Sequence, residues 1–136
     1  MKIDDLSAGQ SAEIAKTITS EDIMSFAAAT GDFNPVHIDD EAGKQSPFGE
    51  RIAHGMLSAG LISAVLGMKL PGPGAIYMSQ SLRFVRPVKI GDTITARAEV
   101  TEVITAKKRA KLATTCHNQN SELVLEGEAL VMVPDG

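Results

Sequence analysis

Cysteine occurs once in this chain of 136 residues, tyrosine once and tryptophan not at all. The single thiol, Cys116, excludes an internal disulfide and fits a reducing compartment. No Cys-x-x-Cys pair and no His-Glu-x-x-His helix is present, which removes the common zinc patterns, and no Gly-x-x-x-x-Gly-Lys loop is present to cradle phosphate. His37, Asp39 and Asp40 lie close together in sequence, but without such spacing no metal and no cofactor is expected. Basic excess is missing too: 13 Lys and Arg against 17 Asp and Glu give a formal charge of -4, so a general nucleic-acid binder is not expected. The most apolar stretch, Ile52 to Leu70, is interrupted by His54, Ser58, Ser63, Lys69 and three glycines, so it falls short of a membrane span. Met1-Lys2-Ile3-Asp4-Asp5 has no apolar signal core. A cytoplasmic protein with no membrane partner is expected.

What is present is ordinary globular composition, 43% hydrophobic and 22% charged, at a length that predicts one domain over residues 1–136. Thr93 to Val103 alternates, with Ile94, Ala96, Ala98 and Val100 on one face and Thr95, Arg97, Glu99 and Thr101 on the other. Ala110 to Asn118 and Leu123 to Val133 repeat the pattern across turn residues, predicting an antiparallel meander. Leu112, Thr114 and Cys116 then share a face, so Cys116 reads as a packed thiol. Ile76 to Phe84 predicts a further strand, and Ala12 to Ile18 a first one. Between them, Thr19-Ser20-Glu21-Asp22 resembles a capping box, Ile23, Phe26 and Ala27 make an apolar stripe, and Gly31 is a suitable stop, so a short helix is expected there. Ile52 to Leu70 predicts a helix buried on most sides.

The order strand, short helix, irregular loop, long helix, four strands predicts an α+β fold of the hot-dog type, an antiparallel sheet wrapped around one central helix. A single such layer leaves a sheet edge and a helix flank uncovered. A homodimer joined edge to edge is therefore expected, with its sites at the subunit boundary.

The candidate site lies in the loop. Asp32 and His37 sit five positions apart on a segment that Pro35 should keep from being a plain helix, with Asn34 biased to an extended conformation, so the two side chains are expected on the limbs of a bend. Another reading of the same residues is an Asx-turn at Asp32, a surface His37 and Asp39 capping the next turn. Gly55, at the start of the long helix, offers a backbone N–H without an intrahelical partner at the positive end of the dipole, a place for an oxyanion. His54, just before it, suits capping or packing as well as catalysis.

Gly31-Asp32-Phe33-Asn34-Pro35-Val36-His37, then His54-Gly55-Met56 with Ser63 eight residues after Gly55, resembles the MaoC-like (R)-specific enoyl-CoA hydratases. Leu70 to Tyr77 and Gln80 to Asp92 also follow that family's pattern, so the resemblance covers most of residues 20–103. It implies that Asp32 and His37 handle the attacking water and that Ser63 supports the pair; Asn34 is taken as a second supporting residue, and the Gly55 N–H as the donor that stabilises the thioester enolate. Hydration of a 2-enoyl thioester needs a base for the water, an acid for Cα and donors for the enolate oxygen, which this set supplies. Met56, Leu66 and Val131 are candidate liners of the acyl pocket. The expected partner is an acyl-CoA thioester, favoured over an acidic carrier protein by the negative charge of the chain. The alternatives are a hot-dog acyl-CoA thioesterase and a non-catalytic acyl-thioester-binding subunit.

Overall fold

The alternating segments of the C-terminal half form one curled antiparallel sheet. In the computed structural model, which describes residues 1–134, the chain runs through β1 (Ser11–Thr17), α1 (Ser20–Thr30), α2 (Pro35–Ile38), α3 (Asp40–Gln45), α4 (Gly55–Met68), β2 (Ile76–Gln80), β3 (Arg83–Phe84), β4 (Thr93–Ile104), β5 (Arg109–His117) and β6 (Leu123–Met132). The last two residues of the expected 1–136 domain lie outside the described residues. Sheet order is β1-β4-β5-β6-β2, with the short β3 also on β6.

Register brings the predicted inner faces together. Ala96 lies opposite Cys116, Ala98 opposite Thr114 and Val100 opposite Leu112; Leu112 in turn faces Ala129 and Ala110 faces Val131 on β6. All of these are buried, and α4 closes the layer by laying Ala59, Ile62, Val65 and Leu66 on them. Each large aliphatic side chain so removed from water contributes roughly 1.5–3 kcal/mol, which makes this contact the main source of stability.

α1 is capped as expected. The Asp22 N–H donates to Thr19 Oγ1 at 3.1 Å, the Thr19 N–H donates to the Asp22 carboxylate at 3.0 Å, and Gly31 ends the helix at φ 80°. The Thr19 N–H, helped by Lys16, holds the Asp22 carboxyl below the ordinary carboxylate range. A depressed carboxyl stabilises the fold above its unfolded pKa, and that contribution is lost as pH falls through the folded value.

Four expectations need correction. The long helix begins at Gly55, not Ile52: Ile52 bridges to Lys89 and the Ala53 N–H donates to the Val88 carbonyl at 2.7 Å, so these apolar residues are extended. α4 is also not buried on most sides, since Gly60, Ser63, Gly67 and Met68 are exposed. The strand expected over 76–84 is broken into β2 and β3, with a bulge between Tyr77 and Ser79. The break is accommodated by Gly127, because a Cβ there would collide with the Ser81 carbonyl. Finally, the loop expected to be irregular holds two short helices, α2 and α3; Pro35 does keep Asp32 to Asn34 out of a helix, but it also opens α2 at the first helical position, where its missing N–H costs nothing.

Cys116 is fully buried, and burial pushes its thiol up to about 12. Near pH 8 almost no thiolate forms. Mass spectrometry after iodoacetamide treatment of the folded protein at that pH should show no alkylation, with complete alkylation in denaturant.

Candidate active site

The loop that leaves α1 is fixed by short local bonds. Thr30 Oγ1 accepts from the Asp32 N–H at 3.2 Å, Asp32 Oδ1 accepts from the Asn34 N–H at 3.2 Å, and Asn34 Oδ1 accepts from the Val36 N–H at 3.3 Å. Asp32 therefore does close an Asx-turn, but with one oxygen, which leaves the other available. Asn34 supports the pair by capping α2, the element that carries His37. Asp39 caps α3 through the Glu41 N–H, as the competing reading expected.

His37 is half-buried. Its Nδ1 donates to the Ile52 carbonyl at 2.8 Å, because a carbonyl can only accept, and Nε2 is left as the ring's open nitrogen. The backbone on either side is clamped. Arg51 Nε donates to the His37 carbonyl at 2.7 Å, and its guanidinium also reaches Ser20 Oγ at 3.1 Å and Asp40 at 3.6 Å. With a side chain only 10% exposed, Arg51 ties α1, α2 and α3 together. Gly43 packs against the Arg51 backbone so closely that no Cβ would fit.

His54 completes the cluster. It is 3% exposed, its Nε2 lies 2.9 Å from the Asp32 carbonyl, and its ring stacks on His37 at 4.0 Å between centroids and 29° between planes. Phe26 packs against the same His54 ring at 4.7 Å between centroids. Ligand atoms of Asp32, His37 and His54 fall within 4.8 Å of one another. The stack suits a metal poorly, since nitrogen lone pairs lie in their ring planes and two nearly parallel planes meet well beyond the reach of a metal–nitrogen bond of about 2 Å.

Gly55 follows as the first residue of α4. Asp32, His37, His54, Gly55, Phe26, Thr30 and Met56 line one cavity of about 330 Å³. His37, Gly55 and Met56 also border a second of about 430 Å³, walled by Phe48, Phe84, Val85 and Arg86. A Cβ on Gly55 would stand 2.7 Å from the Phe84 ring, so the helix tip fits beneath that ring only as glycine.

The sequence-predicted residues do not all converge. Asp32, His37, Gly55 and Met56 share the first cavity, whereas Ser63 is exposed two turns along α4 and lines two others. One, of about 520 Å³, joins Ser63 to Tyr77, Met78 and Gly60; the other, of about 120 Å³, joins it to Leu66, Val131 and Tyr77. Leu66 and Val131 thus meet each other but not the carboxylate–imidazole pair. Arg51 and Phe84 were not singled out by sequence reading. Their roles depend on partners from distant segments, and only the conspicuous Gly55 hinted that something must lie over it.

The model of the MaoC like domain matches residues 5–121. The chain belongs to this family. It is 53% identical over 131 residues to the (R)-specific enoyl-CoA hydratase of Rhodospirillum rubrum, covering 96% of this chain and 90% of that protein. It is 52% identical to the 3-hydroxybutyryl-CoA dehydratase of Methylorubrum extorquens, over 96% of this chain and 83% of the relative. Among solved structures, the (R)-hydratase from A. caviae involved in PHA biosynthesis superposes with a TM-score of 0.92 at 43% identity, covering 95% of this chain and 98% of that one. The hot-dog architecture expected from the element order is therefore that of the MaoC-like family.

Gly55→Ala should displace the Phe84 ring, and most of its effect on stability should vanish in a Phe84→Ala background. A double-mutant cycle from denaturant unfolding should give a coupling of about 0.5–3 kcal/mol; additive effects would place the ring elsewhere.

Proposed function

We propose that this MaoC-like chain is an (R)-specific enoyl-CoA hydratase that adds water to trans-2-enoyl-CoA to give (R)-3-hydroxyacyl-CoA, and catalyses the reverse dehydration. The observation that carries this reading is one cavity holding a carboxylate with an oxygen to spare, an imidazole with Nε2 open and the first N–H of a helix. Water held between Asp32 and His37 loses a proton to one of the pair as its oxygen bonds to Cβ. The π electrons move toward Cα and the thioester oxygen, where the Gly55 N–H and the dipole of α4 stabilise the enolate. The pair then delivers to Cα the proton it took from water, so that carboxylate and imidazole end as they began. Because both groups act from one side of the substrate, the addition is syn.

The acyl tail runs past Met56 toward the small cavity bounded by Leu66 and Val131, and Ser63 supports that path. Two copies pair through β2 in the active form. The other edge strand, β1, guards itself with Glu13 and Lys16, whereas β2 presents Ile76, Tyr77 and Met78, each 40–50% exposed, beside Met56 of α4. Among the described residues no helix is long and apolar enough to cross a membrane. The reaction belongs in the cytoplasm, where it feeds hydroxyacyl thioesters to polyhydroxyalkanoate or fatty-acid metabolism.

Purified protein should remove the conjugated enoyl absorbance of crotonyl-CoA and yield the (R) alcohol by chiral chromatography. Asp32→Asn and His37→Ala should each lower kcat by roughly 10²–10⁴. Release of free thiol from saturated acyl-CoA would instead make the protein a thioesterase, and tight acyl-CoA binding without turnover a carrier subunit. Leu66→Ala should raise kcat/KM for longer enoyl chains relative to crotonyl-CoA by about tenfold or more. Sedimentation at micromolar concentration should report twice the 14.3 kDa chain mass; a monomer would remove the pairing.

A further inference from the structure

We infer that His54 is the positioning residue of this site, holding the Asp32 loop and the His37 ring in their reactive arrangement through a hydrogen bond from Nε2–H and a ring stack. The inference rests on the hydratase reading above.

Three observations bear on it. A carbonyl oxygen carries no proton, so the 2.9 Å contact to the Asp32 main chain requires the hydrogen on His54 Nε2. The other nitrogen, Nδ1, is buried without a hydrogen-bond partner among the described residues. The ring thus has one directional tether, and Phe26 and His37 confine it by packing. His54 also makes no side-chain cap to α4, although it occupies the capping position, so helix capping does not account for a histidine here.

The arrangement links the three parts of the proposed chemistry. The Asp32 side chain is exposed, and a carboxylate on an exposed loop keeps a fixed place only if its backbone is fixed. Thr30 and Asn34 hold that backbone locally, whereas the His54 bond spans 22 residues and ties it to the tip of α4. The same ring lies against the face of His37, whose one side-chain hydrogen bond among the described residues, to Ile52, leaves rotation about that bond to be limited by stacking. Gly55, the oxyanion donor, is the next residue, so the direction of its N–H follows from the backbone of His54, at φ -59° and ψ 134°. A displacement of about 1 Å among reacting groups lowers turnover by as much as 100-fold without changing what the site binds.

Two variants separate the tether from the stack. His54→Phe keeps an aromatic ring between Phe26 and His37 but removes the donor; His54→Gln keeps an N–H donor on a chain of similar reach but removes the ring. With crotonyl-CoA, His54→Phe should lower kcat on the order of 100-fold and leave KM within about threefold. His54→Gln should recover about tenfold of that loss, on the order of one tethering hydrogen bond. Nitrogen-15 NMR of the wild-type protein should place the ring hydrogen of His54 on Nε2 and that of His37 on Nδ1. The inference is overturned by wild-type kcat in His54→Phe, by losses that do not differ between the two variants, or by a hydrogen on His54 Nδ1 with none on Nε2. Wild-type protein that does not hydrate enoyl-CoA at all overturns the hydratase reading together with this one, whereas active wild type with indifferent variants removes only the role of His54.

Discussion

The close seat of α4 on a sheet face lined with alanine is the contact on which the rest of the molecule depends. Ala96, Ala98, Ala110 and Ala129 are fully buried at the centre of the curl, and their small side chains let Ile62, Val65 and Leu66 reach the sheet. A larger residue at any of these positions would lift the helix off the sheet, and overpacking of this kind costs about 1–3 kcal/mol. Because the helix is held along its length, its first residues are held as well. Gly55 is thereby fixed beneath Phe84, and His54 beside the loop that leaves α1.

The site is assembled from interactions that are individually weak. Each main-chain or side-chain hydrogen bond around Asp32 and His37 contributes about 0.5–1.5 kcal/mol net, far less than the core beneath them. Their value lies in direction. Arg51 clamps the carbonyl of His37, Ile52 takes its Nδ1 hydrogen, and Asn34 takes one oxygen of Asp32 through its N–H. Each bond consumes one side of a functional group and leaves the other side open. A loop built this way has a fixed backbone and unsatisfied side-chain atoms, which is what proton transfer to a bound water needs.

The sequence revealed whatever depends on neighbours along the chain. The alternation of Ile94, Ala96, Ala98 and Val100, the reciprocal cap of Thr19 and Asp22, and the left-handed stop at Gly31 all appear where expected. Features set by distant partners were not legible. Ile52 and Ala53 continue an apolar run that looks helical, yet the Val88 carbonyl and a bridge to Lys89 hold them extended. The contact between His54 and the Asp32 carbonyl involves a backbone atom, which leaves no residue-type signal at all. Asp32, His37 and Gly55 could be singled out because their residue types suit the proposed chemistry, whereas the eight-residue spacing of Ser63 from Gly55 places it two turns along α4.

In the proposed dimer, the open flank of α4 would give assembly and chemistry a common cause. Gly60, Ser63 and Gly67 are exposed along the helix, and the cavity that joins Gly60 and Ser63 to Tyr77 and Met78 lies beside the bare β2 edge. In one copy that cavity opens to bulk water. On the proposed mechanism, an enolate forming at Gly55 would be stabilised by the helix N-terminus only to the extent that water is kept from screening it. Pairing through β2 would hide Ile76, Tyr77 and Met78 and also close the side of the substrate channel that α4 leaves uncovered. In the proposed dimer, the apolar edge that leaves a lone layer prone to aggregation would be the same feature that dries its site. If the copies pair as proposed, a substitution that separates them without touching Asp32 or His37 would impair turnover through the dielectric of the site, while the carboxylate–imidazole geometry stayed intact.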